Sequence, residues 1–304
     1  MRIALDAMGG DRAPQVTVLG ALLAAREGVE VVLVGEESAL KAELARHGAD
    51  LPIVHAPDHI PMEAHATEVR RRPQSSVVVA MGLLKAQEVA AVVSMGHTGA
   101  TMAAALFTLG RVRGVERPAL LVEFPSQKGR TFLLDGGANA DCRPSFLVQF
   151  AVMGLAYAEA SGVLAPKVGL LSIGEEEGKG NALVLETYPL LRQALRERFF
   201  GNVALKLSEG EAKVLFSWIK EALASSPLAR LGALLARGAL RRVKDRVDPA
   251  QYGAMPLLGV EGAVFIGHGS ADEVAVKHAL LRAKALVEAG LMARVRGSLA
   301  SLHV

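Results

Sequence analysis

The sequence holds a single cysteine, Cys142, and aromatic residues make up only 4% of its 304 positions. One cysteine excludes an intrachain disulfide framework and fits a reducing cytoplasm. Scarce aromatics leave little material for stacking bases, and a net charge of +3 is too small to argue for nucleic acid, so no nucleic-acid partner is expected. No apolar run approaches the ~20 residues that span a bilayer. The opening "MRIALDAMGGD" meets an aspartate and two glycines too soon for a signal peptide. Nucleotide signatures are missing too. Residues 174–180, "GEEEGKG", fall one residue short of the Walker spacing and lack its hydroxyl, and "DAMGGDRAP" does not supply G-x-G-x-x-G after the first strand. There is no G-x-S-x-G elbow, and Cys142 reads as packing rather than as a nucleophile. His55, His59 and His65 match no zinc spacing and read as solvated loop histidines, so no metal is expected.

What is present is globular: 51% hydrophobic residues, arranged as short β-branched runs alternating with helix-length segments. Residues 2–5, 31–34, 91–94, 120–124, 131–134, 168–173 and 263–266 read as buried strands. Helical patterns cover 38–46, 76–88, 98–109, 145–160, 181–198 and 272–289, the last stopping at Gly290. Such alternation, with uninterrupted apolar strands, implies an α/β fold whose largely parallel sheet is covered on both faces. Residues 1–304 read as one α/β body, with a cleft that can divide it into two lobes.

Chemistry collects where strands end. Five such ends are turns of small and polar residues: "DAMGGD" (6–11), "SMGHTG" (94–99), "DGGAN" (135–139), "GEEEGKGN" (174–181) and "GHGS" (267–270). Along the carboxyl edge of a parallel sheet, glycines let backbone N–H groups approach an anion, and the following helix N-termini favour negative charge. A ligand carrying phosphate or carboxylate is therefore expected. Within these turns Asp6, Gly9, Gly10, Gly96, His97, Thr98, Gly99 and Asn139 are the candidates for holding it. His97 and His268, set among glycines, are candidate hydrogen-bond donors or acids. Glu175, Glu176 and Glu177 would repel an anion, so they are expected to cap the next helix start or to pair with cations, leaving Lys179 and Asn181 toward the ligand.

Residues 228–247 carry six basic residues and one acid. Arg230, Arg237, Arg241 and Lys244 fall on one side at helical spacing, with Leu228, Leu231 and Leu235 on another. The favoured reading is an interfacial helix whose leucines enter the headgroup region while its basic residues meet anionic lipid. A solvated helix face and a dock for an acidic protein are the alternatives.

The strings "IALDAMGGDRAP", "SMGHTGATMA", "DGGANADCRPSFLVQFAVMG", "GLLSIGEEEGKGN", "GNVALKLSEG" and "YGAMPLLGVEGAVFIGHGS" follow one another across nearly the whole chain. Together they closely resemble the bacterial phosphate acyltransferases of phospholipid synthesis. That resemblance implies transfer of a fatty acyl group from acyl carrier protein to inorganic phosphate, giving an acyl phosphate. It also implies a three-layer α/β/α fold similar to phosphotransacetylases and isopropylmalate dehydrogenases. A homodimer, peripheral attachment to the inner face of the cell membrane, no metal or organic cofactor, and a membrane glycerol-3-phosphate acyltransferase as downstream partner are implied as well. In site terms it implies Lys179, Asn181 and Lys206 orienting phosphate or the acyl carbonyl, and His268 donating to the leaving group.

Two departures from the family pattern stand out. The family usually has asparagine where this chain has His97. Between the mid-chain helix and "GNVALK", a segment of roughly two dozen residues, about a strand and its turns, is absent. Intact mass decides whether the protein itself lacks it.

Overall fold

The computed structural model describes residues 1–126, 129–204, 232, 234–236, 238 and 253–302. The chain divides into two compact units, Met1–Lys167 with Pro249–Val304, and Val168–Asp248.

In the first unit, β1 (Arg2–Asp6), β2 (Glu30–Gly35), β3 (Ile53–His55), β4 (Ala91–Ser94), β5 (Ala119–Leu120), β10 (Ala254–Leu258) and β11 (Val264–Gly267) form one sheet among the described residues. Its order is β3-β2-β1-β4-β11-β10-β5. The five strands from β3 to β11 run parallel, while β10 is antiparallel to both of its neighbours. The strands are apolar on both sides because helices cover both faces. Ile3, Leu5, Leu33, Val93 and Phe265 pack with α1 (Gln15–Arg26), α2 (Glu37–Arg46), α5 (Pro144–Ala160), α7 (Glu273–Glu288) and α8 (Leu291–Ala300). Ala4, Val32, Val34, Val92 and Ile266 face α3 (Ser76–Lys85) and α4 (Thr98–Thr108). The three-layer α/β/α expectation holds.

The strand order positions the site. From β1 the chain moves outward through β2 and β3, then returns to place β4 on the other side of β1. This reversal is the topological switch point at which α/β sheets bind ligands beyond the strand ends.

Several boundaries differ from the sequence reading. Residues 120–124 are not one strand. The chain leaves the main sheet after β5 and enters a separate hairpin of β6 (Val122–Ser126) and β7 (Gly129–Leu133). The 131–134 run therefore lies outside the main sheet. Glu123 on β6 is buried and paired with Arg282 of α7 and with Arg130 across the hairpin. This ion pair explains how a carboxylate tolerates that position. Gly290 does end α7, in a left-handed conformation with φ of 73°, but α8 begins at the next residue.

In the second unit β8 (Val168–Ser172), α6 (Ala182–Leu195) and β9 (Phe199–Ala204) form a parallel β-α-β unit. A 3₁₀ turn at Arg196–Arg198 joins α6 directly to β9.

Candidate active site

Of the five turns expected along one edge, three end neighbouring parallel strands of the main sheet: those after β1, β4 and β11. The turn at 135–139 follows the hairpin strand β7, and 174–181 follows β8 in the second unit. Strand-like runs look alike whichever sheet they join, so the sequence put all five on one edge.

The three turns touch. A Cβ on Gly9 would stand 2.7 Å from Gly96 N and 2.7 Å from Asp6 Oδ2, so this crossing of two backbones requires glycine. Asp11 N–H donates to Gly269 O at 2.9 Å, tying the β1 turn to the β11 turn. At the start of α4, His97 is the N-cap: its Nδ1 accepts from Ala100 N–H at 3.0 Å. Asparagine, which the family resemblance implies at this position, could accept the same bond. With Nδ1 accepting, a neutral His97 carries its proton on Nε2. The N–H groups of Thr98 and Gly99 make no hydrogen bond to an acceptor among the described residues, as expected of a helix's first turn, and are free to bind an anion.

Beneath these turns is a cavity of ≈ 10 Å³, room for about one water, lined by Asp6, Gly9, Ser76, Gly96, His97 and Thr101, among others. Asp6 is buried. Its Oδ2 accepts from Ser94 Oγ at 2.7 Å, and Ser94 Oγ accepts from Gly96 N–H at 3.1 Å. Burial pushes the Asp6 carboxyl above its ordinary value, opposed by the nearby hydroxyls of Ser76 and Ser94, the Met8 backbone and His59. The sequence placed Asp6 in a turn; its burial follows from tertiary packing that spacing does not reveal.

His268 stands in the β11 turn. Its Nδ1 lies 2.8 Å from Ser270 Oγ and 3.2 Å from Ser270 N, so Ser270 orients the ring. Asn139 has its amide donors engaged with Pro118 O and Asp135 Oδ2, both at 2.9 Å, so it organises the 135–139 turn. His55 accepts from Glu37 N–H at 3.3 Å. No cluster able to hold a metal ion occurs among the described residues.

Lys179 and Asn181 belong to the second unit. Asn181 is the N-cap of α6, accepting from Val184 N–H at 3.0 Å, so the glutamates do not cap that helix. The expected cation pairing does occur at Glu177, which accepts from Arg192 at 3.2 Å and from Tyr188 Oη at 2.9 Å. Asn202 Nδ2 donates to Glu176 O at 2.8 Å, fixing the turn from β9, a contact the sequence did not suggest. The Lys179 ammonium has no carboxylate partner among the described residues. Lys206 lies outside the described residues, as do Leu228, Arg230, Leu231, Arg237, Arg241 and Lys244 of the basic segment; Leu235 is described and is 82% exposed. No described helix is long and apolar enough to cross a membrane.

Comparison with known proteins completes the picture. The chain matches the family described as "Fatty acid synthesis protein" over residues 1–201 and again over 194–294. It is 76% identical to a phosphate acyltransferase of Thermus thermophilus, all of both chains being covered. It is 47% identical to that of Pelotomaculum thermopropionicum, with 100% of this chain and 96% of the relative covered. A phosphotransacetylase structure from Streptococcus pyogenes has a TM-score of 0.63 at 17% identity, covering 95% of this chain and 94% of that one, a likeness of fold. The T. thermophilus alignment runs over 326 positions against 304 residues here, a surplus of 22. The two family matches overlap at 194–201, where about two dozen residues were expected to be absent. A profile that spans most of the sequence and a relative 76% identical from end to end lead to one conclusion: the chain belongs to the phosphate acyltransferases, the acyltransferases of the fatty acid synthesis family that act in lipid synthesis.

Proposed function

We propose that this acyltransferase moves a fatty acyl group from acyl carrier protein to inorganic phosphate, releasing an acyl phosphate for phosphatidic acid synthesis. A phosphate oxygen adds to the thioester carbonyl carbon, the tetrahedral intermediate collapses with cleavage of the C–S bond, and the thiolate leaves. The phosphate proton ends on the carrier thiol, directly or through a donor. Phosphate is a competent nucleophile near neutral pH and a thiolate needs little help to leave. The protein's task is therefore to position the reactants and stabilise the oxyanion, and no cofactor is needed.

The observation that carries this reading is the unpaired Thr98 and Gly99 N–H pair beside Gly9, Gly10 and Gly96 at the switch point, an anion cradle of backbone donors. In the proposal phosphate sits there and His268 donates to the departing sulfur; that Lys179, Asn181 and Lys206 orient phosphate or the carbonyl is proposed from the family resemblance alone. The test is to incubate the protein with long-chain acyl-acyl carrier protein and phosphate and trap the product with hydroxylamine. Acyl hydroxamate is expected. Product from short acyl-coenzyme A alone would point to an acetyl-type phosphotransacylase, and no product at all to a scaffold.

We also propose that the protein acts as a homodimer attached to the inner membrane face through residues 228–247, delivering acyl phosphate to a membrane glycerol-3-phosphate acyltransferase. Salt-sensitive flotation with anionic liposomes is expected, abolished by Leu231→Glu with Leu235→Glu. Continued flotation of the double variant would defeat the membrane assignment.

A further inference from the structure

The reaction as written leaves Asp6 without a role. The residue ends β1, is 3% exposed, and lines the small cavity beside the α4 N-terminus. Ser94 Oγ accepts from Gly96 N–H and lies 3.4 Å from the Thr101 hydroxyl, which leaves its own hydrogen for Asp6 Oδ2. The other oxygen, Oδ1, is buried and makes no well-aligned hydrogen bond among the described residues, although the Ser76 hydroxyl and the Met8 backbone lie close enough to the carboxyl to oppose the effect of its burial. No lysine or arginine lines the cavity. The titratable groups that face Asp6 are His97, on the cavity wall, and His59, whose charge has the smallest influence on it.

A carboxylate in this place would meet a phosphate dianion as a second negative charge, in low dielectric and without a cation between them. A neutral acid avoids that repulsion. Since Oδ2 already accepts the Ser94 hydrogen, the proton of a neutral Asp6 belongs on Oδ1. The cavity has room for about one water, and Oδ1 and Ser76 Oγ would give it polar partners. We propose that Asp6 works as a neutral acid beneath the anion, its Oδ1–H donating through one cavity water to phosphate held at the α4 N-terminus. Ionised Asp6 disfavours phosphate. Burial acts in the same direction, holding the proton on the carboxyl above the ordinary carboxylate range. This role rests on the phosphate reading of the cradle and sharpens it: phosphate binding depends on a protonated side chain as well as on backbone donors.

Binding of inorganic phosphate to the full chain, measured by calorimetry from pH 6 to 9, tests the proposal for the wild type, Asp6→Asn and Asp6→Ala. Asparagine keeps a donor at the Oδ1 position and no charge. It is expected to bind within about three-fold of wild type at pH 6 and at least as tightly at pH 9. Alanine, which removes the donor, is expected to bind about ten-fold or more weakly. Asparagine ten-fold weaker than wild type would overturn the proposal, because the carboxylate itself would then be required. Alanine equal to wild type would overturn it also. If the alanine variant does not fold, infrared difference spectroscopy on the wild type decides: phosphate binding should perturb a protonated-carboxyl C=O band that Asp6→Asn lacks, and absence of that band in the wild type sinks the idea. These measurements need no acyl donor. A wild type with Asp6-dependent phosphate binding but no hydroxamate product refutes the reaction alone.

Discussion

Gly9→Ala tests the construction of the site most directly. The new Cβ would stand 2.7 Å from Gly96 N and from Asp6 Oδ2, and 3.0 Å from Gly96 Cα, against an ordinary contact beginning near 3.4 Å. Two of those atoms are backbone and the third belongs to a buried side chain held by Ser94, so none can swing aside. The β1 and β4 turns must separate by about 0.7 Å, a forced overpacking that costs about 1–3 kcal/mol. For a chain of this size that lowers Tm by about 2–10 °C. The same movement displaces the cradle, so the phosphate KM should rise by about ten-fold, with a smaller change in the KM for the acyl donor. The control is Gly82→Ala. Gly82 lies in α3 with nothing within 4 Å of its added Cβ, and alanine there should stabilise by about 0.5–1 kcal/mol and leave kinetics unchanged. Thermal melts and steady-state kinetics on both variants suffice. If Gly9→Ala melts within about 1 °C of wild type and keeps its phosphate KM within two-fold, the two turns do not form the site.

Other perturbations probe separate parts of the molecule. Because the native Asp6 carboxyl holds its proton above its ordinary pH range, the native state binds more protons than the unfolded state across that window, so stability falls as pH rises through it. Asp6→Asn should show a flatter dependence of the urea midpoint between pH 4 and 8; curves that remain parallel would refute the assignment. Glu123→Gln strips the charge from a 3% exposed carboxylate facing Arg282 and Arg130. A loss of about 3 kcal/mol in urea unfolding is expected, and a loss under about 1 kcal/mol would mean the hairpin is held by other contacts. Lys179→Met should raise the phosphate KM or lower kcat; no change in either removes that lysine from the site.

Most of the first unit could be read from sequence because its strands are short apolar runs bounded by glycine, a signal that survives in one dimension. β4 was placed to the residue, and α4 to within one. The misses have local causes. In β10 Pro256 argues against an interior strand, yet the structure uses its carbonyl, which accepts from Leu121 N–H at 3.0 Å. The split between β5 and β6 was hidden because Leu121 is as apolar and buried as its neighbours, so nothing in composition marks the exit from the sheet. At the site, residue types announced the glycine turns but not their depth. The His97 cap is local, a bond to Ala100 three residues on, whereas the burial of Asp6 depends on side chains 88 residues apart, Asp6 and Ser94, being brought together.

The join between α6 and β9 has a consequence of its own. Arg196 sits there at φ 49° and ψ −121°, a backbone geometry suited to glycine and costly for a side chain by about 1–3 kcal/mol. It falls inside the 194–201 overlap of the two family matches. The junction therefore resembles a seam: a helix and a strand sewn edge to edge with an arginine in a stitch shaped for glycine. A seam of this kind is a natural place for engineered insertions, since adding residues there relieves the backbone, whereas an insertion within the β1 or β4 turn would dismantle the cradle.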